Sequence, residues 1–242
     1  MSDKPKIMTV YGTRPEAIKV APVVSALQDD DRFESVVVST GQHREMLEQV
    51  NKRFGITPDH DMALMKPGQT LNELVARAIQ GLDPIIEEEQ PDVIISQGDT
   101  STAMVAALAG FHKGVKIVHL EAGLRTGNIF SPFPEEANRK IIGQIASLHL
   151  APTNESRENL RRENFRSKDI VVTGNTVIDA LLAASEWDVK FDDQRLEELR
   201  SSDEKLVLVT THRRENLDAM KEIGGAVQDL AKAYPDLSLI HI

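Results

Sequence analysis

Short apolar runs alternate with longer amphipathic stretches along almost the whole chain. Residues 6–11 (KIMTVY), 35–39 (SVVVS), 92–96 (DVIIS), 115–120 (VKIVHL), 148–151 (LHLA), 170–172 (IVV), 206–210 (LVLVT) and 237–242 (LSLIHI) are brief and rich in β-branched residues. Apolar side chains at successive positions fit strands buried on both faces. Between these runs, residues 17–27, 44–54, 70–89, 102–112, 135–146, 155–165, 177–184 and 219–234 carry helical spacing. Thr70 and Glu73 have the separation of a capping box, which marks a helix start. Strand–helix alternation repeated this often predicts an α/β fold, a parallel sheet covered by helices on both faces. Ligands of such sheets bind at the carboxyl edge, in loops that enter the next helix. Residues 184–204 are the most polar and irregular, and are expected near a domain junction.

The chain has 242 residues, enough for one large domain or two modest ones. Its formal net charge of −10 argues against a nucleic-acid binder, which needs a basic face. It argues equally against adhesion to an anionic membrane. With no cysteine, thiolate metal sites, disulfides and cysteine nucleophiles are absent, as suits the cytoplasm. The start, MSDKPKIMTVYG, lacks the pattern of a signal peptide, and no run of eighteen apolar residues spans a membrane. The apolar run at 237–242 has no helix or cap after it, and is read as the end of a fragment cut from a longer sequence.

Chemistry is expected in the loops after the strands. Gly12-Thr13-Arg14-Pro15-Glu16 follows the first; its helix start, Arg14 and Lys19 would suit an anion. Thr13 and Glu16 also have capping-box spacing, which needs no ligand. Asp99, in QGDTST, is either a plain helix N-cap or a carboxylate aimed into a cleft. Glu121, in HLEAGLRTGN, is an unfavourable structural choice at a strand's end and suggests a site. His119-x-Glu121 has the start of a zinc deaminase signature, but the paired cysteines are missing. Glu135 opens a helix after the two prolines of SPFPEEANR; it is either a dipole partner or a rigidly held carboxylate. His212 stands beside Arg213 and Arg214, where like charge favours its neutral form; the trio could meet a diphosphate. No histidines have metal-ligand spacing, so no metal is expected.

Taken in order, GTRPEAIKVAP, STGQHREML, QGDTST, HLEAGLRTGN, SPFPEEANR, LAPTNESRENL, VTGNTVIDAL and THRREN resemble the non-hydrolysing UDP-N-acetylglucosamine 2-epimerases of bacteria. The resemblance implies two Rossmann-like domains in the glycosyltransferase-B arrangement: residues 1–172, then an incomplete second domain over 173–242. It implies interconversion of UDP-GlcNAc and UDP-ManNAc, for surface polysaccharide synthesis, by elimination and re-addition of UDP. No redox or other cofactor is needed. Arg14 and Lys19 would contact the nucleotide side; Asp99, Glu121 and Glu135 would handle the proton and the cationic sugar; His212 would assist the leaving diphosphate. Gln42 and Arg44 are the candidates for a regulatory nucleotide-sugar site, and the complete protein is expected to be a homodimer. The alternatives are a hydrolysing 2-epimerase, which the GDTST and GNTVID stretches disfavour, and an inactive fragment.

Overall fold

The computed structural model describes residues 4–41, 44–203, 205–211 and 219–241. They fall into two compact units, Met1–Glu186 and Trp187–Ile242.

In the first unit a seven-stranded sheet is built from β1 (Lys6–Tyr11), β2 (Glu34–Ser39), β3 (His60–Asp61), β4 (Val93–Gln97), β5 (Lys116–Leu120), β6 (Leu148–Ala151) and β7 (Ile170–Val172). Every pairing is parallel, and the order is β3-β2-β1-β4-β5-β6-β7. The two-residue β3 is too short to leave a periodic signal and is not foreshadowed in the sequence. The helices are α1 (Arg14–Gln28), α2 (Arg44–Phe54), α3 (Leu71–Glu89), α4 (Ser101–His112), α5 (Glu135–Ile145), α6 (Asn154–Arg162) and α7 (Thr176–Ser185).

Alternation along the strands builds two cores, one on each face. Met8, Val10, Val36, Val38, Ile94 and Ile117 pack with α3 and α4 residues such as Leu82, Ala103, Ala106 and Ala107. Their neighbours Tyr11, Val37, Ile95 and Leu120 pack on the other face with Val20 and Val24 of α1 and Leu47 of α2. This is why nearly every strand position is apolar. The alanine run of α4 lets that helix lie close to the sheet.

Sheet order decides where a ligand fits. From β1 the chain moves outward one way to β2; from β4 it moves the other way to β5. The loops after β1 and β4 therefore part to opposite faces and leave a crevice between them, the usual ligand position in this topology. Close approach is demanded there: a Cβ on Gly12 would lie 2.2 Å from Thr40 Oγ1 and 2.8 Å from Thr102 Oγ1.

The second unit holds α8 (Gln194–Arg200), β8 (Lys205–Val209), α9 (Met220–Ala233) and β9 (Leu237–His241), with β8 and β9 parallel. Two features differ from the sequence reading. The polar segment expected to be irregular contains α8, whose start is capped by the Asp193 side chain accepting from the Arg195 N–H. The first compact unit also runs past Val172 to Glu186, because α7 packs on α1.

Candidate active site

Glu121 ends β5 in a left-handed conformation, with φ +66°. A non-glycine residue is rarely found there, and such strain gathers at functional positions. Its carboxylate is saturated with donors. Lys19 Nζ lies 2.6 Å from Oε2 and 2.8 Å from Oε1. Gln97 Nε2 donates to Oε2 at 2.6 Å, and Asn175 Nδ2 to Oε1 at 2.8 Å. Only a tenth of the Glu121 side chain is exposed, so the ion pair with Lys19 works in a partly desolvated setting. The donors come from α1, the end of β4 and the cap of α7, so one carboxylate ties three elements together.

Asp99 stands in the adjoining loop. Glu121 Oε2 comes within 3.7 Å of where a Cβ on Gly98 would sit, so the loops that carry Asp99 and Glu121 run side by side at the ends of the adjacent strands β4 and β5. The plain N-cap reading of Asp99 does not hold: the cap of α4 is Thr100, whose side chain accepts from the Ala103 N–H. Asp99 is thus free for other work. Arg139 donates to its Oδ2 from Nη2 at 2.6 Å and from Nε at 2.9 Å, and Asn138 Nδ2 holds its backbone carbonyl at 2.8 Å. Burial works against the charge of Arg139, but Asp99 and Glu136 outweigh it and hold the guanidinium protonated.

Glu135 opens α5, where its Oε2 is buried with no hydrogen-bond partner among the described residues. The next residue, Glu136, is fully buried and accepts from the N–H groups of Thr126 and Gly127. His119 lies behind this edge. Its Nε2 donates to the Gly98 carbonyl at 2.8 Å, and its Nδ1 is buried with no partner among the described residues. Burial pushes its pKa down to about 4, so the ring is neutral near pH 7.

At the start of α1 the capping box is present. Buried Glu16 accepts from Gly12 N–H at 2.9 Å and Thr13 N–H at 2.7 Å, while Thr100 Oγ1 donates to its other oxygen. Burial raises its pKa, opposed by these hydrogen bonds. Since Glu16 occupies the N–H groups of Gly12 and Thr13, an anion here would rely on the Arg14 side chain. Arg14 is exposed and unpaired among the described residues.

Arg14, Asp99, Glu121 and Glu135 lie in loops or first turns beyond the carboxyl edge of the sheet, and Lys19 lies in the second turn of α1, the strand-to-helix positions that the sequence anticipated. His212 and Gln42 lie outside the described residues, as does the side chain of Arg44, the first residue of α2. The sequence reading missed Gln97, Arg139, Asn175 and buried Glu16 and Glu136 as parts of the site. Several stand inside recognised motifs, but their partners are up to 84 residues away. Among the described residues no group of three His, Asp or Glu could hold a metal ion, and no helix is long and apolar enough to cross a membrane.

The chain is similar to known proteins. The chain is 47% identical to the UDP-N-acetylglucosamine 2-epimerases of Escherichia coli K12 and Yersinia pestis, over 98% of this chain and 64% of each of those proteins. The crystal structure of the UDP-GlcNAc 2-epimerase of Neisseria meningitidis, solved with UDP-GlcNAc bound, superposes with a TM-score of 0.86 at 43% identity. That match covers 98% of this chain and 65% of the other. The chain thus spans slightly less than two thirds of these relatives, with their Rossmann-like α/β fold of glycosyltransferase-B type. Residues 25–242 match the family model described as UDP-N-acetylglucosamine 2-epimerase, and the chain belongs to that family.

Proposed function

We propose that this protein interconverts UDP-GlcNAc and UDP-ManNAc. The observation that carries the reading is the meeting of the Glu121 and Asp99 loops at the carboxyl edge of the sheet, where Arg14 opens α1 exposed and, among the described residues, unpaired. Inversion at carbon 2 is difficult directly, because that carbon is not beside a carbonyl. Elimination solves this. A carboxylate takes the proton from carbon 2, the bond from carbon 1 to the UDP oxygen breaks, and 2-acetamidoglucal and UDP result. Re-addition places a proton on the opposite face of carbon 2 and restores the bond from carbon 1 to UDP.

Two faces require more than one acid–base group. Asp99, Glu121 and Glu135 are assigned that work, and also stabilise positive character at the anomeric carbon. Arg14 takes the diphosphate and Lys19 holds Glu121 toward the sugar. His212 is assigned to the leaving diphosphate. Its position, like that of the regulatory candidates Gln42 and Arg44, lies outside the described residues. In its complete form the protein is proposed to be a cytoplasmic homodimer.

The test is made on a form spanning the full length of the relatives. In heavy water, UDP-ManNAc formed from UDP-GlcNAc should carry deuterium at carbon 2. Asp99→Asn, Glu121→Gln and Glu135→Gln should each lower kcat by about a hundredfold or more, within the range of general acid–base catalysis. Product without solvent deuterium defeats the elimination route. Free ManNAc in place of UDP-ManNAc assigns the protein to hydrolysis.

A further inference from the structure

We propose that Arg139 is a positioning residue, holding Asp99 in its working orientation from the back of the site. The inference rests on the acid–base reading of Asp99 given above.

The geometry is selective. Arg139 Nε and Nη2 converge on one oxygen of Asp99, Oδ2, at 2.9 and 2.6 Å. The other oxygen, Oδ1, takes no side-chain hydrogen bond among the described residues, which leaves it for a proton of the substrate. The remaining terminal nitrogen, Nη1, donates to Glu136 Oε2 at 3.1 Å. Glu136 in turn accepts from Thr126 N–H at 3.2 Å and Gly127 N–H at 3.3 Å, in the loop that follows Glu121. One turn of α5 therefore fixes two walls of the crevice, and Asn138 adds a hold on the Asp99 backbone.

A partly buried ion network of this kind is a poor way to stabilise a fold. Well-packed apolar side chains of similar volume usually serve as well or better. A guanidinium is needed because it donates in several fixed directions from one plane, which an ammonium cannot do. Arg139, four residues after Glu135 on α5, meets Asp99 and Glu136 together. A misplacement of about 1 Å at a catalytic group can cost on the order of a hundredfold in rate, so orientation alone justifies the network.

The test uses a form spanning the relatives' full length and compares Arg139→Lys, Arg139→Met, Asp99→Asn and the double variant Asp99→Asn/Arg139→Met. Thermal melting followed by circular dichroism establishes that each is folded; if Arg139→Met is not, Arg139→Lys with the corresponding double variant carries the comparison. We expect kcat to fall about tenfold or more for Arg139→Lys and about a hundredfold for Arg139→Met. KM for UDP-GlcNAc should move less than about threefold, a split that general loosening of the site would not give. In the Asp99→Asn background the Arg139 change should cost less than about threefold, because the group it positions is already disabled. Unchanged kcat in folded Arg139→Lys, or a full independent loss in the double variant, overturns the proposal while leaving Asp99 catalytic. Full activity in Asp99→Asn overturns the acid–base reading itself, and the positioning role with it.

Discussion

Arg14 and Glu16 sit two residues apart in one helical turn and do opposite things. Glu16 is buried and satisfies the N–H groups of Gly12 and Thr13 together with the Thr100 hydroxyl. Its removal strands buried donors, each costing about 1–3 kcal/mol. Glu16→Ala should therefore lower unfolding stability by about 2–3 kcal/mol, read from urea midpoints. Arg14→Ala should leave those midpoints within about 0.5 kcal/mol, since the side chain is exposed and unpaired among the described residues. It should instead weaken UDP binding by about 1.5–3 kcal/mol, the scale of hydrogen bonds to charged groups, in calorimetry on a form spanning the relatives' length. The opposite pattern would exchange their roles. The capping box was legible because its signal is local, three residues apart. The pairings of Asp99 with Arg139 and of Glu121 with Asn175 were not, because tertiary folding alone brings them together.

Among the elements, strand–helix alternation was readable because both faces of the sheet are apolar, and the parallel order follows from the long crossovers. What periodicity could not reveal was the state of polar residues inside those strands. His119 of β5 and His149 of β6 are register partners, both buried, each with an Nδ1 unpartnered among the described residues. Burial lowers both pKa values, that of His119 to about 4. For a histidine depressed in the native state, the unfolded chain binds more protons between the two pKa values. The contribution to stability is whole above about pH 6.5, the unfolded value, and is lost as pH falls toward 4. His119 alone should account for about 3 kcal/mol of that loss, at 1.36 kcal/mol per unit. Urea midpoints measured from pH 7 to pH 4 should fall steeply in the native sequence and less steeply in His119→Gln. Equal slopes would mean that the ring can be protonated without disturbing the strand. Glu163, held down to about 2 by hydrogen bonding to Arg125, contributes chiefly below this window.

For the molecule as a whole, the resemblance placed a boundary after Val172, and packing extends the first unit to Glu186. The physical reason lies in α7. It is capped by Asn175, whose side-chain amide also reaches Glu121, and it buries Ala180 while packing on α1. Sequence alone could find α7 but not its partner, since an apolar helix states only that some surface covers it. Ile178, Leu181 and Leu182 stay exposed on the same helix, so its hydrophobic character does not by itself choose a side. The two readings separate by experiment. A chain ending after Glu186 retains the whole seven-stranded sheet, both cores and every described donor to Glu121, and should unfold cooperatively. A chain ending after Val172 loses α7, uncovers part of α1 and removes the Asn175 donor. Burial of roughly 100 Å² of apolar surface is worth about 2.5 kcal/mol, so the shorter chain should be less stable by about 2 kcal/mol or more, or should aggregate. Urea unfolding of both chains under one buffer decides it. Equal midpoints would make α7 an appendage and return the boundary to Val172.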